Sequence, residues 1–426
     1  MKPAGLARVT DDLSVTESVH TTLKQLAVAS EERPRLEWLG PFHRCEDWQP
    51  RRLGLDLEQN VMASNGPVVH RERGSFFDLL DWPDVDALIF GQLLRPAHFR
   101  LAKDGETVEP TRYLRPLARS AANSAGIDHQ VHLLVDGAPD PRAVRDLYFA
   151  GATIILQGVQ RYRRAVGLLC RQLAWVMRGS CHANVYATRA GGHQGFDLHR
   201  DPHDVVVVQL RGSKQWSVPS MGSSVIDLAE GDVLFLPRNT EHAARTTTND
   251  SLHLTVGVRV EQEEDLLRNA VVDTIKNLRG VLQRTNAATS DASFERYLGE
   301  TAALVVSLDA PTLSALTTAG MFMSARPYLE TSLTDREPGQ ELSQQSVLTR
   351  ALPVPLPLFE FDSTAALLIS DMGGLVLQSR PAVAACRELC TQVEPFTLTE
   401  LPGIGFEAAA RVARVLCSLG VLRRPA

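Results

Sequence analysis

The strongest constraint on the fold of this chain is a series of short strand-like segments between residues 181 and 260, without helical patterns between them. The segments are rich in β-branched residues and are separated by turns that contain Gly, Pro or Asn. Strands joined by short turns pair in antiparallel fashion, so this region predicts an antiparallel sandwich or barrel. The segments read HANVYATR, FDLHRD, DVVVVQL, KQWSVPS, SVIDLA, DVLFLP and SLHLTVGVRV.

The remaining sequence divides around this predicted barrel, since 426 residues exceed one ordinary domain. Residues 1–35 are polar with one amphipathic stretch, which predicts an N-terminal extension with a frayed helix. Residues 36–260 combine a mixed region with the barrel. Helical patterns fill residues 261–345, and residues 346–426 form a compact tail. We therefore expect an α+β protein with four segments.

Shorter patterns predict individual elements within these segments. Lys103-Asp104-Gly105-Glu106 is a hairpin signal. Apolar residues at helical spacing predict a helix over residues 161–177, with Arg on its other face. The Pro-rich residues 352–358 predict an extended linker.

Composition and charge exclude several classes of protein. The net charge of −6 provides no electrostatic basis for binding nucleic acid. The six cysteines form no C-x-x-C pair, which argues against a zinc ribbon. No apolar run approaches the ~20 residues of a membrane span, and residues 1–14 lack the apolar core of a signal peptide. We therefore expect a cytoplasmic protein that does not associate with membranes.

The pair His199 and Asp201 is the first candidate for chemistry. Residues two apart on a strand face the same side, so this imidazole and carboxylate would point at one place. The sequence GDVLFLPRNTEH has a turn-strand-turn layout that can bring His242 opposite them. Two His and one carboxylate leave three metal positions open, which suits non-haem Fe(II), whereas four protein ligands would indicate structural zinc. An H-x-D pair on an ordinary surface strand is the alternative interpretation.

Lys214 is the second candidate, because it follows Gly212 at the start of KQW and only five of the 44 basic residues are Lys. A 2-oxoglutarate co-substrate that chelated iron through its keto-acid end would place its second carboxylate inside the barrel. That carboxylate needs a cation, and a long Lys side chain can reach inward to supply one. A solvated Lys after a turn is the alternative.

Three further residues have polar side chains near these motifs. His203 follows Pro202, which interrupts strand geometry, so we expect His203 to support the site or lie on the surface rather than bind metal. His253 alternates with Leu252 and Leu254, which predicts a hydrogen-bonded residue of the barrel wall. Trp216 is most simply a core residue.

Over residues 181–258 these motifs together resemble the JmjC-type cupin ribosomal oxygenases. The motifs that carry the resemblance are Asn184-x-Tyr186, Gly195-Phe196, His199-x-Asp201, Asp204, Gln209-x-x-Gly212-x-Lys214-x-Trp216, Gly231-Asp232, Pro237-Arg238, His242 and Ser251-x-His253-x-Thr255. Outside this region only the order of segments is similar. The loop of residues 189–194 differs, since it is one residue longer than the common form and has Arg where many members have Pro. Because this loop borders the substrate entrance, the identity of the substrate stays open.

The resemblance implies a double-stranded β-helix, the cupin or jelly-roll barrel, followed by a helical dimerisation region at 261–345 and a winged-helix-like domain at 346–426. It implies that the chain is a homodimer and a hydroxylase of a protein or peptide substrate, possibly a ribosomal protein, with Fe(II), 2-oxoglutarate and O₂ as cofactor and co-substrates. The residues implied as iron ligands are His199, Asp201 and His242. Those implied in binding 2-oxoglutarate are Lys214, Asn184, Tyr186 and Thr255.

Other functions are compatible with parts of this sequence. A hydroxylase of a biosynthetic peptide or free amino acid would use the same iron site. A ligand-sensing transcription regulator would join a cupin to a winged helix, but residues 359–426 contain six Arg against seven Asp and Glu, which argues against direct DNA binding. An inactive cupin is disfavoured because the ligand set and Lys214 are all present.

Overall fold

The structure is a computed structural model, and the part of it that can be described covers most of the predicted barrel and the C-terminal tail. Among these residues, no helix combines the length and the apolar character needed to cross a membrane. The described residues are 6–16, 22, 26, 35–40, 52–54, 66–91, 94, 98–115, 138–177, 179–222, 225–260, 299, 342–351, 356–370, 373–392, 394–401 and 403–424.

The described secondary structure consists mainly of strands. In chain order these are β1 (Leu6–Thr10), β2 (Leu13–Thr16), β3 (Arg35–Leu39), β4 (Val68–His70), β5 (Phe99–Lys103), β6 (Glu106–Thr107), β7 (Leu114–Arg115), β8 (Ala138–Pro139), β9 (Thr153–Gln157), β10 (Gly179–Thr188), β11 (His199–Arg200), β12 (Asp204–Ser217), β13 (Val225–Ala229), β14 (Val233–Leu236), β15 (Glu241–Arg245), β16 (Ser251–Val260), β17 (Val347–Arg350), β18 (Leu356–Glu360), β19 (Ala366–Ser370), β20 (Gly373–Leu377), β21 (Phe396–Thr397) and β22 (Leu422–Arg423). The α-helices are α1 (Trp82–Asp86), α2 (Pro141–Phe149), α3 (Arg164–Met177), α4 (Arg380–Thr391) and α5 (Phe406–Ser418). A π-helical turn covers Ala87–Gly91, and 3₁₀ turns cover Pro110–Arg112, Val159–Arg161 and Pro219–Met221.

The chain forms two compact units. The barrel unit is Gln49–Val260, and the terminal unit combines Met1–Trp48 with Glu261–Ala426. Every strand pair described in either unit is antiparallel, which confirms the predicted α+β class with antiparallel sheets.

A single long strand, β12, connects the two sides of the barrel. The first part of β12 pairs with β14 and β16, and its second part pairs with β13 and β15. The change of partners follows a register shift between Gln209 and Arg211, and Gly212 takes a positive φ of 66° directly after it. A bulge followed by a left-handed residue bends a strand, so β12 can pass from one sheet to the other. The predicted strands DVVVVQL and KQWSVPS are thus one bent strand.

Alternation along the strands separates the inner face of the barrel from its outer face. On the side formed by β12, β13 and β14, an apolar cluster fills the interior, consisting of Val205, Val207, Trp216, Val218, Ile226, Leu228, Leu234 and Leu236. The predicted helix of residues 161–177 is observed as α3, which packs on β10 and β16. The predicted hairpin is confirmed by the pairing of Lys103 with Glu106 across Asp104 and Gly105, which have φ values of 52° and 88°.

The terminal unit contains a six-stranded sheet in which the two ends of the chain meet. Its strand order is β1-β2-β20-β19-β18-β3, so strands from the N-terminal region form both sides of the C-terminal strands. Residues 1–35 were predicted to be a separate extension with a frayed helix. Thr22 and Leu26 are helical, but the hairpin of β1 and β2 was not predicted. Its partner β20 lies more than 350 residues away in sequence, and local patterns carry no information about such pairing.

The Pro-rich segment was predicted to be a linker, and this is wrong for residues 356–358. Leu356, Pro357 and Leu358 lie in β18, which pairs with β3 and β19, and Leu356 and Leu358 are buried. The remaining C-terminal residues form α4, α5 and a three-stranded sheet with the order β21-β17-β22 around one apolar core. The helical region predicted at residues 261–345 lies outside the described residues, apart from Gly299 and residues 342–345.

Candidate functional site

Three of the predicted site residues meet at one end of the barrel. His199 on β11 lies directly opposite His242 on β15, and the centroids of the two rings are 4.4 Å apart. Asp201 Oδ2 is 3.6 Å from His242 Nε2. One potential ligand atom from each of the three residues lies within 4.8 Å of the other two. In the described part of the chain, no other group of three or more His, Cys, Asp or Glu side chains is arranged to hold a metal ion.

Hydrogen bonds to the backbone orient both imidazoles. His199 Nδ1 lies 2.7 Å from the carbonyl oxygen of Asp197, and His242 Nδ1 lies 2.9 Å from that of Thr240. A carbonyl oxygen can only accept, so each Nδ1 carries the proton and each Nε2 keeps a lone pair. This second contact fixes the tautomer and ring orientation that metal-binding histidines need.

The surroundings of the three side chains are asymmetric. His242 is buried, Asp201 is half-buried, and His199 is exposed. Burial lowers the pKa of His242, and the neighbouring His199 lowers it further. The hydrogen bond to Thr240 raises the pKa but does not outweigh burial. His242 is therefore neutral near pH 7, which is the form that binds a metal. The cluster is closed on the His242 side and open to solvent on the His199 side.

A cavity of about 60 Å³, partly open to solvent, lies next to the cluster. It is lined by the three residues of the cluster and by side chains from both sheets, namely Thr153, Tyr186, Phe196, Val205, Lys214, Trp216, Ala244, His253 and Thr255, with Gly195. The cavity thus joins a metal-binding cluster to a mixed polar and apolar wall, which is the usual composition of a small-molecule site.

Lys214 is the buried cation of this cavity. Its side chain is only 3% exposed, and its Nζ donates a hydrogen bond of 3.1 Å to Thr188 Oγ1. Thr188 Oγ1 is in turn 2.9 Å from Thr153 Oγ1. Burial lowers the pKa of Lys214 to about 7. Among the residues described, no carboxylate forms a salt bridge with Lys214.

Two further polar nitrogens in the cavity wall have no hydrogen-bond partner among the described residues. Trp216 Nε1 and His253 Nδ1 are both buried and unsatisfied. Burial, and then the charge of Lys214, lowers the pKa of His253 well below its ordinary value, so this imidazole is neutral. Buried polar groups are normally satisfied, and groups left without partners frequently face a missing ligand. Together with Lys214, these groups fit a ligand that carries acceptor oxygens and negative charge.

The remaining predicted co-substrate residues occupy different positions. Tyr186 and Thr255 line the cavity, and the Tyr186 ring stacks on His253 at 4.9 Å and an angle of 6°. Asn184 does not line the cavity. Its Oδ1 accepts a 3.1 Å hydrogen bond from the Gly158 backbone N–H. Asn184 therefore contacts the turn at Gly158 rather than the cavity.

The other polar residues singled out in the sequence lie around the cluster. His203 packs edge-on against His182 with a centroid distance of 4.8 Å, and it is absent from the metal-binding group. The expected hydrogen bond of His253 is not observed, since its Nδ1 has no partner. Trp216 belongs to the apolar core, as predicted, and also lines the cavity.

Sequence reasoning did not identify Thr153 and Thr188. The signal for Thr188 was present, because Asn184, Tyr186 and Thr188 alternate on one face of β10. Thr153 had no such signal, since its position opposite Thr188 depends on the pairing of β9 with β10.

Comparisons with known proteins agree on the central region. Residues 168–266 match the family model described as the JmjC domain. The bifunctional lysine-specific demethylase and histidyl-hydroxylase NO66 of Branchiostoma floridae is 36% identical over 123 residues, which is 28% of this chain and 20% of that protein. The protein of the same name from Brugia malayi is 28% identical over 259 residues, or 53% of this chain and 35% of that protein. The matches thus span only about a third or less of the length of these relatives.

Among solved structures, the ribosomal oxygenase YcfD from Escherichia coli in complex with cobalt and 2-oxoglutarate is similar over 91% of this chain and 99% of that chain. The sequence identity is 17% and the TM-score is 0.49. The family match coincides with β10–β16, the strands that carry the metal-binding cluster and most of the cavity wall. Residues 168–266 thus match the JmjC domain, in agreement with the resemblance of this part of the sequence to the JmjC-type ribosomal oxygenases.

Proposed function

We propose that this chain is an Fe(II)- and 2-oxoglutarate-dependent dioxygenase that hydroxylates a residue of a protein substrate. The observation that carries the proposal is the position of the cluster of His199, Asp201 and His242 beside a cavity with a buried Lys214, which has no salt-bridge partner among the described residues. A metal ion and a dicarboxylate would satisfy the two ends of this cavity. The JmjC match over the same residues supports the proposal.

His199, Asp201 and His242 would hold the iron. Two imidazole nitrogens and one carboxylate on one side of a metal leave the opposite positions open for other ligands. When bound, the iron would supply the oxygen activation that no protein side chain can perform. The protein contributes ligand orientation, through the backbone bonds to both imidazoles, and an opening on the side of the exposed His199.

Lys214 would bind the second carboxylate of 2-oxoglutarate. The ammonium group of Lys214 now donates only to the neutral hydroxyl of Thr188. An ion pair with a carboxylate would be a stronger interaction, because the site is shielded from water. Thr188 and the unsatisfied Trp216 Nε1 and His253 Nδ1 offer further hydrogen bonds to acceptor oxygens. Stacking of Tyr186 on His253 holds this wall in one arrangement.

The substrate class is proposed from the relatives. Proteins named histidyl-hydroxylases match this domain at 28% to 36% identity, which supports a polypeptide substrate and, in line with the sequence analysis, a ribosomal one. The exposure of His199 and the partly open cavity are compatible with a chain segment that enters from solvent. Hydroxylation of a biosynthetic peptide or amino acid would use the same residues.

An anaerobic titration tests the co-substrate site directly. Addition of Fe(II) and 2-oxoglutarate should produce the visible charge-transfer absorption of an iron–keto-acid chelate, and His199→Ala should abolish it. Turnover of 2-oxoglutarate with ribosomal peptides, followed by mass mapping of residues that gain one oxygen atom, then tests the substrate. Folded protein that binds neither ion nor co-substrate would refute the proposal.

We also propose, from the sequence pattern, that the chain forms a cytoplasmic homodimer through residues 261–345 and that residues 346–426 form a winged-helix-like domain without direct DNA binding. The helices α4 and α5, with a small three-stranded sheet, support the winged-helix-like assignment of residues 346–426. The near balance of positive and negative charges in these residues supports the lack of DNA binding. Sedimentation equilibrium measures the oligomeric state, and a fluorescence assay with duplex DNA at low salt measures DNA binding.

A further inference from the structure

Arg100 on β5 is a partly buried cation with no polar partner in the part of the chain that the structure describes. Its Nε is fully buried and unsatisfied. Among the residues that the structure describes, none forms a hydrogen bond or an ion pair with its guanidinium group. The guanidinium carbon lies over the Phe196 ring, 5.1 Å from its centroid. Arginine is rarely buried without a paired acceptor, because removing its charge from water is costly.

The strand register places Arg100 on the inner face of the barrel. Arg100 lies opposite Ile155, Ile155 lies opposite Tyr186, and Tyr186 lies opposite His253 on successive antiparallel strands. Residues that face each other across antiparallel strands project to the same side of the sheet. Arg100 therefore belongs to the row of side chains that includes the cavity residues Tyr186 and His253.

Phe196 connects Arg100 to the metal-binding cluster. The Phe196 ring contacts His199 edge-on with a centroid distance of 6.0 Å, and it lines the cavity. His199 is the exposed member of the cluster, whereas Lys214 is at its buried side. Arg100 is thus a second cation of the site, on the side from which a substrate would approach.

Neither Asp197 nor Glu109 forms an ion pair with Arg100. Asp197 accepts a 3.3 Å hydrogen bond from Gln194 Nε2, and its side chain packs against Gly105. Burial raises the pKa of Tyr113, and the charges of Arg100 and Glu109 shift it in opposite directions. The structure shows no ion pair between Arg100 and Glu109. The guanidinium group therefore keeps its capacity for a bidentate acceptor from outside the protein.

We propose that Arg100 binds a carboxylate of the polypeptide substrate and so positions the residue to be hydroxylated next to the cluster. This inference rests on the proposed function and adds a chemical requirement for the substrate. A carboxylate matches the planar fork of the guanidinium with two parallel, charge-assisted hydrogen bonds. An Asp or Glu side chain or a C-terminal carboxylate would meet this requirement.

The test is a selection from random peptides. The protein is loaded with Ni(II) and 2-oxoglutarate, which does not turn over, and is used to capture peptides from two randomised libraries, one with free and one with amidated C-termini. We expect the wild type to enrich carboxylate-bearing peptides. Enrichment of Asp or Glu in both libraries indicates a side-chain carboxylate. Capture of peptides from the library with free C-termini but not from the amidated library indicates the terminal carboxylate.

Two variants and a control identify the residue responsible. Arg100→Met keeps an apolar side chain over Phe196 but removes the charge, and it should weaken binding of a selected peptide roughly 10- to 100-fold. Arg100→Lys keeps a charge without the fork and should recover only part of this affinity. Lys103→Met, on the same strand in the hairpin, should bind the peptide as the wild type does.

Further measurements separate a binding role from a structural one. Removal of an unpaired buried charge should leave the melting temperature of Arg100→Met unchanged or raise it. The affinity for 2-oxoglutarate should stay within twofold of the wild type. No acidic enrichment, enrichment that persists in Arg100→Met, loss of folding or loss of 2-oxoglutarate affinity would each overturn the proposal. Failure to form the iron–keto-acid absorption would instead count against the proposed function.

Discussion

His199 and His242 lie directly opposite each other on two short antiparallel strands, with ring centroids 4.4 Å apart and each Nδ1 bound to a backbone carbonyl. Each ring therefore presents Nε2 toward Asp201. The backbone carbonyl at the second nitrogen of each ring holds the ring orientation that a metal-binding histidine needs.

This geometry predicts the effect of removing one ligand. His242→Ala should weaken binding of Mn(II), as a stand-in for Fe(II), by more than about 100-fold, since even loss of an outer contact typically costs 10- to 100-fold. Isothermal titration calorimetry measures the affinity. His203→Ala is the matched control, because His203 lies close to Asp201 in sequence but outside the cluster. Equal losses in both variants would contradict the assignment of the ligands.

The buried ammonium of Lys214 predicts a pH-dependent affinity for 2-oxoglutarate. Burial lowers the pKa of Lys214 to about 7, so above this pH the ligand-free protein holds mostly a neutral amine. The carboxylate binds the charged form and raises its pKa again, so binding takes up a proton. The dissociation constant should therefore increase up to about tenfold per pH unit between about pH 7 and 9.

Titrations at pH 6.5, 7.5 and 8.5, in buffers of different ionisation enthalpy, measure both the affinity and the proton uptake. Lys214→Met should bind 2-oxoglutarate about 100-fold more weakly at pH 6.5 and should show no proton uptake above pH 7. If the variant kept the slope of the wild type, another group would have to be titrating.

The bend in β12 predicts that Gly212 cannot be replaced. A Cβ at this residue would lie 1.8 Å from the carbonyl oxygen of Asp250, and φ is 66°. Gly212→Ala should therefore lower the free energy of unfolding by about 3 kcal/mol, because the clash adds to the strain of a left-handed residue. Since Lys214 follows two residues later, the variant should also bind 2-oxoglutarate more weakly.

Gly192→Ala is the control for this substitution, because Gly192 has a φ of 79° but no atom within 4 Å of the added Cβ. Gly192→Ala should lower the free energy of unfolding by only about 1 kcal/mol, because it introduces the left-handed backbone strain without a steric clash. Urea unfolding measures both variants. Similar destabilisation by the two would show that the contact with Asp250 is unimportant.

The N-terminal hairpin predicts a role for Asp12 in the six-stranded sheet. Asp12 accepts hydrogen bonds from Thr10 Oγ1 at 2.8 Å, Ser379 Oγ at 2.8 Å and Arg411 Nη2 at 3.2 Å, which link β1–β2 to the first turn of α4 and to α5. Asp12→Ala should lower the stability of this unit by about 1–2 kcal/mol, because these donors lose their acceptor.

Amide hydrogen exchange of β20, which pairs with β2, provides a local measurement. Exchange in β20 should become faster in Asp12→Ala, while Glu394→Ala, at an exposed acidic residue, should leave it unchanged. Unchanged protection in Asp12→Ala would mean that strand pairing alone holds the hairpin.

The sequence determined the features that depend on short spacing. The two-residue separation of His199 and Asp201 places both on one side of the chain, and the alternation within residues 181–260 predicts antiparallel strands. The turn-strand-turn pattern before His242 and the position of Lys214 after Gly212 also indicated how distant residues could meet. These signals are local, because strand periodicity and turn residues act over a few positions.

Only the tertiary structure decided which strands pair and where their side chains point. Thr153 faces Thr188 and Arg100 joins the inner row because of the register of β5, β9 and β10. Leu356 and Leu358 lie in a strand rather than a linker because β18 pairs with β3 and β19, and their side chains are buried in the apolar core shared with α4 and α5. Such pairings join residues far apart in the chain, and their stability comes from shared burial and backbone hydrogen bonds that no single segment encodes.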